Sequence, residues 1–361
     1  MQKNFKLVVD TFSDVTDLIG SWADAEFWDF GQHVANGKLE PGAVYIIGRE
    51  QFTLNAPTII DLINRNVIRV VFSNPAEGSE TQLRHCEQLG IVELIKQNRM
   101  LIITGGDAPS DWAALFYENF LPKMLDYKEN SKAVENYQSN YSLNRPYKFL
   151  FLNGRSRRHR QQLLTRLQPV LDQALWTNLD SNMGPIKLLP EHYEFEQFST
   201  KNIAIDKGFV KHQLFGKHSW GDVYLQAEPY LDTYFSLVTE TVFDYPCSFR
   251  TEKIWKPMVI GHPWIAVANS GFYRDIKNIG FRTFESVIDE SFDQIDNNQD
   301  RLERIAVIVE DLCQQDLAKF LQECYTVCKY NQQHLEHLRG QVRKEFPNRL
   351  LNFLTQYNFN E

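Results

Sequence analysis

Short apolar runs alternate with amphipathic stretches over the first hundred residues. Phe5 to Val9, Ala43 to Ile47, Ile68 to Phe72 and Met100 to Ile103 are apolar enough to be strands. Helical spacing fills the gaps between them, as in Ala56 to Arg65, opened by Pro57, and Ser79 to Leu89. Short, wholly apolar strands alternating with helices predict a parallel sheet covered on both faces. A longer helical pattern follows Asp111 and runs to about Tyr127. The stretch KENSKAVENYQSNYSLNRP is polar and poor in aliphatics, so it reads as a connection between domains.

The pattern then restarts. Tyr147 to Leu152 is a predicted strand, Arg157 to Ala174 is helical, and Tyr234 to Thr239 is the next strand. A helix begins near Thr251. Gly261 stands where a helix ends and Pro263 prevents its continuation. Trp264 to Ala268 is a further strand, Ser270 opens a short helix, and Gly280 leads into Phe281 to Phe284. Helices are expected over Asp300 to Cys313 and Leu317 to Leu338, with a last amphipathic piece from Gln341 to Tyr357. The expected fold class is α/β, with two Rossmann-like domains facing a cleft. The first, on the acceptor side, spans 1–145 and the second, which binds the nucleotide-sugar, spans 146–330. Residues 331–361 form C-terminal helices able to cross back to the first domain. In open α/β sheets ligands bind beyond the carboxyl ends of the strands, so functional residues are expected there.

Composition narrows this little. A chain of 361 residues suits two domains of roughly 150 to 200 residues. With 43% hydrophobic and 23% charged residues, and 25 Phe, 15 Tyr and 7 Trp, each domain can bury a large core. The net charge of −8 counts against generic nucleic-acid binding, although a local basic cleft is compatible with it. No apolar run approaches the ~20 residues of a membrane span. The start MQKNFKLVVD lacks a signal-peptide core, and the five cysteines follow neither a zinc nor a disulfide spacing, so the expected location is cytoplasmic. The pair Cys324 and Cys328 shares one helix face and reads as a buried stripe.

Two clusters carry candidate chemistry. In FLFLNGRSRRHRQQLL an apolar strand ends at Asn153-Gly154, and Arg155, Arg157, Arg158 and Arg160 follow at a helix start. In SFRTEKIWKP, Arg250 and Lys253 flank Thr251 and Glu252 at another. Cations oppose the positive end of a helix dipole by about 0.3–1 kcal/mol each. A bound phosphate reverses that sign, because free helix N–H groups attract anions. Thr251 suits an N-cap, and Glu252 can accept hydrogen bonds from a ribose diol. The bland alternatives are a solvated basic face and an ordinary capped helix.

The run from Tyr234 to Phe284, YFSLVTETVFDYPCSFRTEKIWKPMVIGHPWIAVANSGFYRDIKNIGFRTF, resembles the donor-binding half of GT-B glycosyltransferases of the fucosyltransferase type. There a strand leads to Thr-Glu-Lys at a helix start, and a Gly-Pro step leads into the next strand. Similar sequences occur in phage and bacterial glycosyltransferase-like proteins. The resemblance covers about 50 residues, and Asn153-Gly154-Arg155 fits the first strand end of the same domain. It implies that Glu252 holds the donor ribose and that Lys253 and Arg155 contact the pyrophosphate. It further implies that Thr239, Glu240 and Thr241 line the donor pocket. Asn153, Arg158, Arg250 and Thr251 complete the expected donor-binding set. The family carries an acidic and aromatic run before Thr-Glu-Lys. This chain has VFDYPCSFR instead, so sugar and base are not assigned.

No Asp-x-Asp occurs, so the expected enzyme requires neither metal nor cofactor, and the leaving diphosphate falls to Arg, Lys and helix N-termini. An inverting reaction also needs a general base for the acceptor hydroxyl. FSNPAEGSE offers Glu77 and ITGGDAP offers Asp107, each just after a predicted strand. Either is equally at home as a turn or cap residue. His212 and His218, and His334 and His337, are pairs too small for a closed metal site. No GxGxxG, Walker or GxSxG motif is present. The expected activity is transfer of a sugar from a nucleotide-sugar to a hydroxyl acceptor, a glycan or similar. The alternatives are a phage-type enzyme acting on hydroxymethylated DNA bases, and a non-catalytic nucleotide-sugar-binding or assembly protein.

Overall fold

The computed structural model of the chain describes residues 6–10, 25–126, 128–190, 193, 205–206, 209–210 and 225–357. They divide into two compact units, Met1–Asn119 with Arg339–Glu361, and Phe120–Leu338. His212 and His218 lie outside the described residues.

The first unit is built on a six-stranded parallel sheet. Its strands are β1 (Leu7–Asp10), β2 (Ala25–Trp28), β3 (Val44–Gly48), β4 (Arg69–Asn74), β5 (Met100–Thr104) and β6 (Ala114–Phe116), in the order β2-β1-β3-β4-β5-β6. The helices between them are α1 (Phe30–Ala35), α2 (Arg49–Asn64), α3 (Ser79–Leu89) and α4 (Val92–Lys96). Alternate side chains leave the pleat on opposite faces. Tyr45, Ile47, Val70, Phe72 and Ile102 pack on Phe52, Ala56, Ile59 and Ile95 of the helices. Val44, Ile46, Val71, Leu101 and Ile103 pack on Phe346, Leu350 and Leu354. Both faces are therefore buried, which is why these strands read as unbroken apolar runs.

The second unit holds α5 (Phe120–Asp126), α6 (Lys128–Ser139), β7 (Tyr147–Phe151), α7 (Arg158–Arg166) and β8 (Ala174–Trp176). An antiparallel pair follows, β9 (Ile205–Asp206) and β10 (Phe209–Val210), then α8 (Glu228–Leu231), β11 (Thr233–Thr239) and α9 (Glu252–Ile260). The unit continues with β12 (Trp264–Val267), α10 (Phe272–Asn278) and α11 (Asn298–Cys313). Its parallel sheet has the order β12-β11-β7-β8. The chain steps from β7 to β8 on one side and from β11 to β12 on the other. The strand order thus reverses between β7 and β11, which makes their carboxyl ends a topological switch point.

Several expectations change. The polar stretch after Tyr127 is helix α6, whose Tyr137 enters the second unit's core together with Leu121 and Met124. The units therefore part at Asn119–Phe120 and not at residue 145. The helix expected after Asp111 is divided into β6 and α5. Pro57 stands inside α2 and not at its start, so one helical N–H is missing there. The helix expected up to Ala174 ends at Arg166, and a 3-10 turn over Gln168–Gln173 leads into β8. No strand forms over Phe281 to Phe284. The C-terminal pieces are one helix, α12 (Leu317–Gln356). Its last part carries Phe346, Leu350 and Leu354 into the first unit's core. Among the described residues, no helix is long and apolar enough to cross a membrane.

Candidate functional site

The residues at the switch point are tied to one another. Asn153, two residues beyond β7, is buried and donates its N–H to Thr177 Oγ1 at 2.9 Å. Its Oδ1 accepts from Thr239 Oγ1 at 3.2 Å, which joins the ends of β7 and β11. The loop beyond Asn153 is pinned by Asp180, whose Oδ2 accepts the Ser156 N–H at 2.7 Å.

Helix α9 begins as its sequence requires. Thr251 is extended, and its Oγ1 accepts the Lys253 N–H at 3.3 Å. The same hydroxyl donates to Glu240 Oε2 at 2.6 Å. At the far end Gly261 takes φ 84°. The N–H groups of Gly261 and His262 return to the Pro257 carbonyl at 3.0 and 2.8 Å, a Schellman-type stop. Between these ends Ile254, Trp255, Met258, Val259 and Ile260 are buried, at about 1.5–3 kcal/mol each. The helix start is thus held from its own cap, from the core beneath it and from β11.

The charges sort into surface and interior. Arg155, Arg157 and Arg158 are exposed at the start of α7. Arg160, one turn further, is 3% exposed. It donates to the carbonyls of Arg155 (2.9 Å), Thr239 (2.8 Å) and Glu240 (3.3 Å). Burial first, then Arg157, bring its pKa down to about 10, while Glu240 and Glu252 act against them. Neighbouring His159 donates from Nε2 to the Glu240 carbonyl at 3.0 Å and stacks on Phe243. Burial, then Arg160, push its pKa down to about 3, so it is neutral.

Lys253 is partly exposed. Its Nζ donates to Glu252 Oε1 at 2.5 Å, to Thr251 Oγ1 at 3.2 Å and to Thr241 Oγ1 at 3.5 Å. Burial raises the Glu252 carboxyl, but Lys253 and Lys256 outweigh it and the net shift is downward. Glu252 is therefore an anion, able to accept from a diol.

Five expected donor-binding residues are buried: Asn153, Thr239, Glu240, Arg250 and Thr251. Glu240 has no exposed surface. Its Oε1 accepts the Thr251 N–H at 3.0 Å, and its Oε2 also accepts the Thr241 N–H at 3.1 Å. Arg250 is 1% exposed, so its guanidinium belongs to the interior and not to a ligand-facing surface. His159, at the first turn of α7, is a residue that sequence reasoning left out of the site, and Arg160, expected there as one cation of the cluster, is interior.

The two carboxylate candidates share one edge of the first sheet. Glu77 follows β4 and Asp107 follows β5, and the Glu77 carbonyl accepts the Gly105 N–H at 3.0 Å. Glu77 pairs with Arg49 at 3.5 Å. The Asp107 carbonyl accepts from Ser79 Oγ at 2.5 Å. The first sheet has its own strand reversal between β1 and β3. There the buried Asp10 accepts the Gly48 N–H at 3.1 Å, a carboxylate that the sequence reading passed over. His334 donates from Nε2 to the Ile279 carbonyl at 2.7 Å and so serves the fold.

No protein-family model matches the chain, and no curated protein or solved structure matches it.

Proposed function

We propose that the chain is a metal-independent glycosyltransferase of the GT-B kind, with its nucleotide-sugar donor held at the carboxyl edge of β7 and β11. The observation that carries this reading is the gathering of Asn153, Thr239 and Thr251 to Lys253 around one strand-order reversal, beside the exposed Arg155 and Arg158. In this reading the N–H groups at the start of α9, Lys253 and Arg155 take the diphosphate, and Glu252 takes the ribose. Charge developing on the leaving diphosphate is met by these preorganised donors. Asn153, Thr239, Glu240 and Thr251 shape the site from within. Glu77 or Asp107 removes the proton of the acceptor hydroxyl, with inversion at the sugar carbon.

The test is a thermal-shift and calorimetry panel of GDP, UDP, CDP and TDP, with and without EDTA. Stabilisation by one nucleotide, unchanged by EDTA, is the expected result. No response to any of them removes the donor site. Binding without transfer to any hydroxyl acceptor moves the reading to a non-catalytic nucleotide-sugar-binding protein.

A further inference from the structure

The two helix starts at this edge meet in one residue. The main-chain carbonyl of Glu240 accepts from His159 and Arg160 of α7, at 3.0 and 3.3 Å. Its carboxylate accepts the N–H and the hydroxyl of Thr251, the cap of α9, at 3.0 and 2.6 Å. Arg160 extends the same network to the Arg155 carbonyl at 2.9 Å. Thr251 extends it to the Lys253 N–H at 3.3 Å.

A carboxylate without solvent exposure is costly unless it is paired and fully hydrogen-bonded. The Glu240 carboxyl accepts from three donors, Thr251 N–H, Thr251 Oγ1–H and Thr241 N–H, and although burial still raises its pKa, Lys253 and then the Thr251 hydrogen bonds act against that rise. A capped helix start needs only a Thr hydroxyl. A buried acid bonded to that cap, on a main chain that also anchors the other helix, does more than capping requires.

We propose that Glu240 is a positioning residue that couples the loop carrying Arg155 to the helix start carrying Lys253. The coupling is a property of the fold, and its use in ligand binding rests on the nucleotide-sugar site proposed above. In the coupled arrangement the main chain that carries each cation is already ordered when an anion arrives, which lowers the entropic cost of binding.

Hydrogen exchange followed by mass spectrometry on the full chain tests the coupling without any ligand. In Glu240→Gln one accepting oxygen becomes an NH₂ group, which cannot accept from Thr251 or Thr241. Faster exchange is expected in both segments, Asn153 to Arg160 and Thr251 to Ile254, with β7 and β12 unchanged. Thr251→Val removes the hydroxyl from the other end and is expected to loosen the start of α7 as well. If Glu240→Gln loosens β7 and β12 too, Thr251→Val carries the comparison. Faster exchange confined to Thr251 to Ile254 in both variants, or no change in either, overturns the proposal.

Calorimetry with inorganic pyrophosphate separates this from the donor-site reading. Wild type is expected to bind, and Glu240→Gln to bind roughly tenfold more weakly, the equivalent of one charge-assisted hydrogen bond. Absence of binding in wild type removes the donor site and leaves exchange to judge the coupling.

Discussion

Lys253 Nζ lies 2.5 Å from Glu252 Oε1, an ion pair between adjacent residues at the start of one helix. Side chains at i and i+1 on a helix do not ordinarily face each other. Here Lys253 folds back over the helix start, where Thr251 and Thr241 also receive it. The pair fixes the cation at the helix start, and it also occupies part of that cation's capacity.

The two members should therefore respond differently to substitution if the donor site is as proposed. Lys253→Ala is expected to weaken both nucleoside diphosphate and pyrophosphate, by roughly tenfold or more, the worth of one hydrogen bond to a charged group. Arg155→Ala should act in the same direction. Glu252→Gln is expected to strengthen inorganic pyrophosphate, because Lys253 loses its competing anion, and to weaken nucleoside diphosphate, because the ribose loses its acceptor. Calorimetry with both ligands checks this. Equal changes for the two ligands in Glu252→Gln would remove the ribose assignment.

Most strands legible in the sequence have neighbours on both sides, and the edge strand β12 joins them because all four of its residues are buried. β3, β4, β5, β7 and β11 are flanked by paired strands and buried on both faces, which demands unbroken apolar runs. Among the strands passed over, β2, β6 and β8 are edge strands of the two sheets and only three or four residues long. Helix α6 was hidden because few of its residues are apolar, and its anchors include Tyr137 and the polar Asn130, whose side chain reaches the Met124 carbonyl. At the candidate site the sequence announced a cluster of cations without their orientation. Arg155 and Arg158 point outward while Arg160 and Arg250 are interior, and sequence adjacency carries no information on that division.

Acid should destabilise the second unit through two neutral histidines. His262 is buried, donates from Nε2 to the Thr233 carbonyl at 2.7 Å, and accepts at Nδ1 from Ser236 Oγ at 2.9 Å. Burial, then Arg145, push its pKa from 6.5 down to about 3, and His159 behaves alike. Between these values the unfolded chain binds more protons than the native one, so stability falls as pH falls. Glu240 has the opposite sign. Burial raises its pKa, so the native state binds the proton more tightly and stability falls as pH rises through the raised value. Urea unfolding of wild type and His262→Gln from about pH 7 to about pH 5 is the check. The advantage of wild type over the variant should shrink as the pH is lowered.

Two glycines should respond oppositely to alanine. Gly340 lies inside α12, and an added Cβ meets nothing within 4 Å. Gly340→Ala should stabilise by about 0.5–1 kcal/mol. Gly261 has φ +84°, and a Cβ there would lie 2.8 Å from Gln332 Nε2, which holds the Val259 carbonyl. Gly261→Ala should destabilise by about 1–2 kcal/mol from the left-handed backbone alone. Chemical denaturation of the two variants gives the signs directly.

Arg301 is the buried cation on which the far side of the second sheet depends. It is 1% exposed and donates to the carbonyls of Ala268 (3.2 Å), Ile295 (2.7 Å) and Phe243 (2.6 Å), and to Asn298 Oδ1 (2.6 Å). Its guanidinium also lies 4.4 Å from the Phe243 ring centre. These partners come from the end of β12, the loop after β11 and the start of α11, so the fork closes three chain segments at once. Arg301→Met leaves the Ala268 and Phe243 carbonyls buried without this donor and also releases the part-buried bonds to Ile295, Asp296 and Asn298, so it should cost about 2–5 kcal/mol. Lysine brings the charge but not the planar fork, so Arg301→Lys should recover little of that loss. Arg158→Met, on the exposed start of α7, should change ligand-free stability by no more than about 0.5 kcal/mol. Urea midpoints of the three variants decide it, and a mild Arg301→Met effect would mean that water replaces the guanidinium.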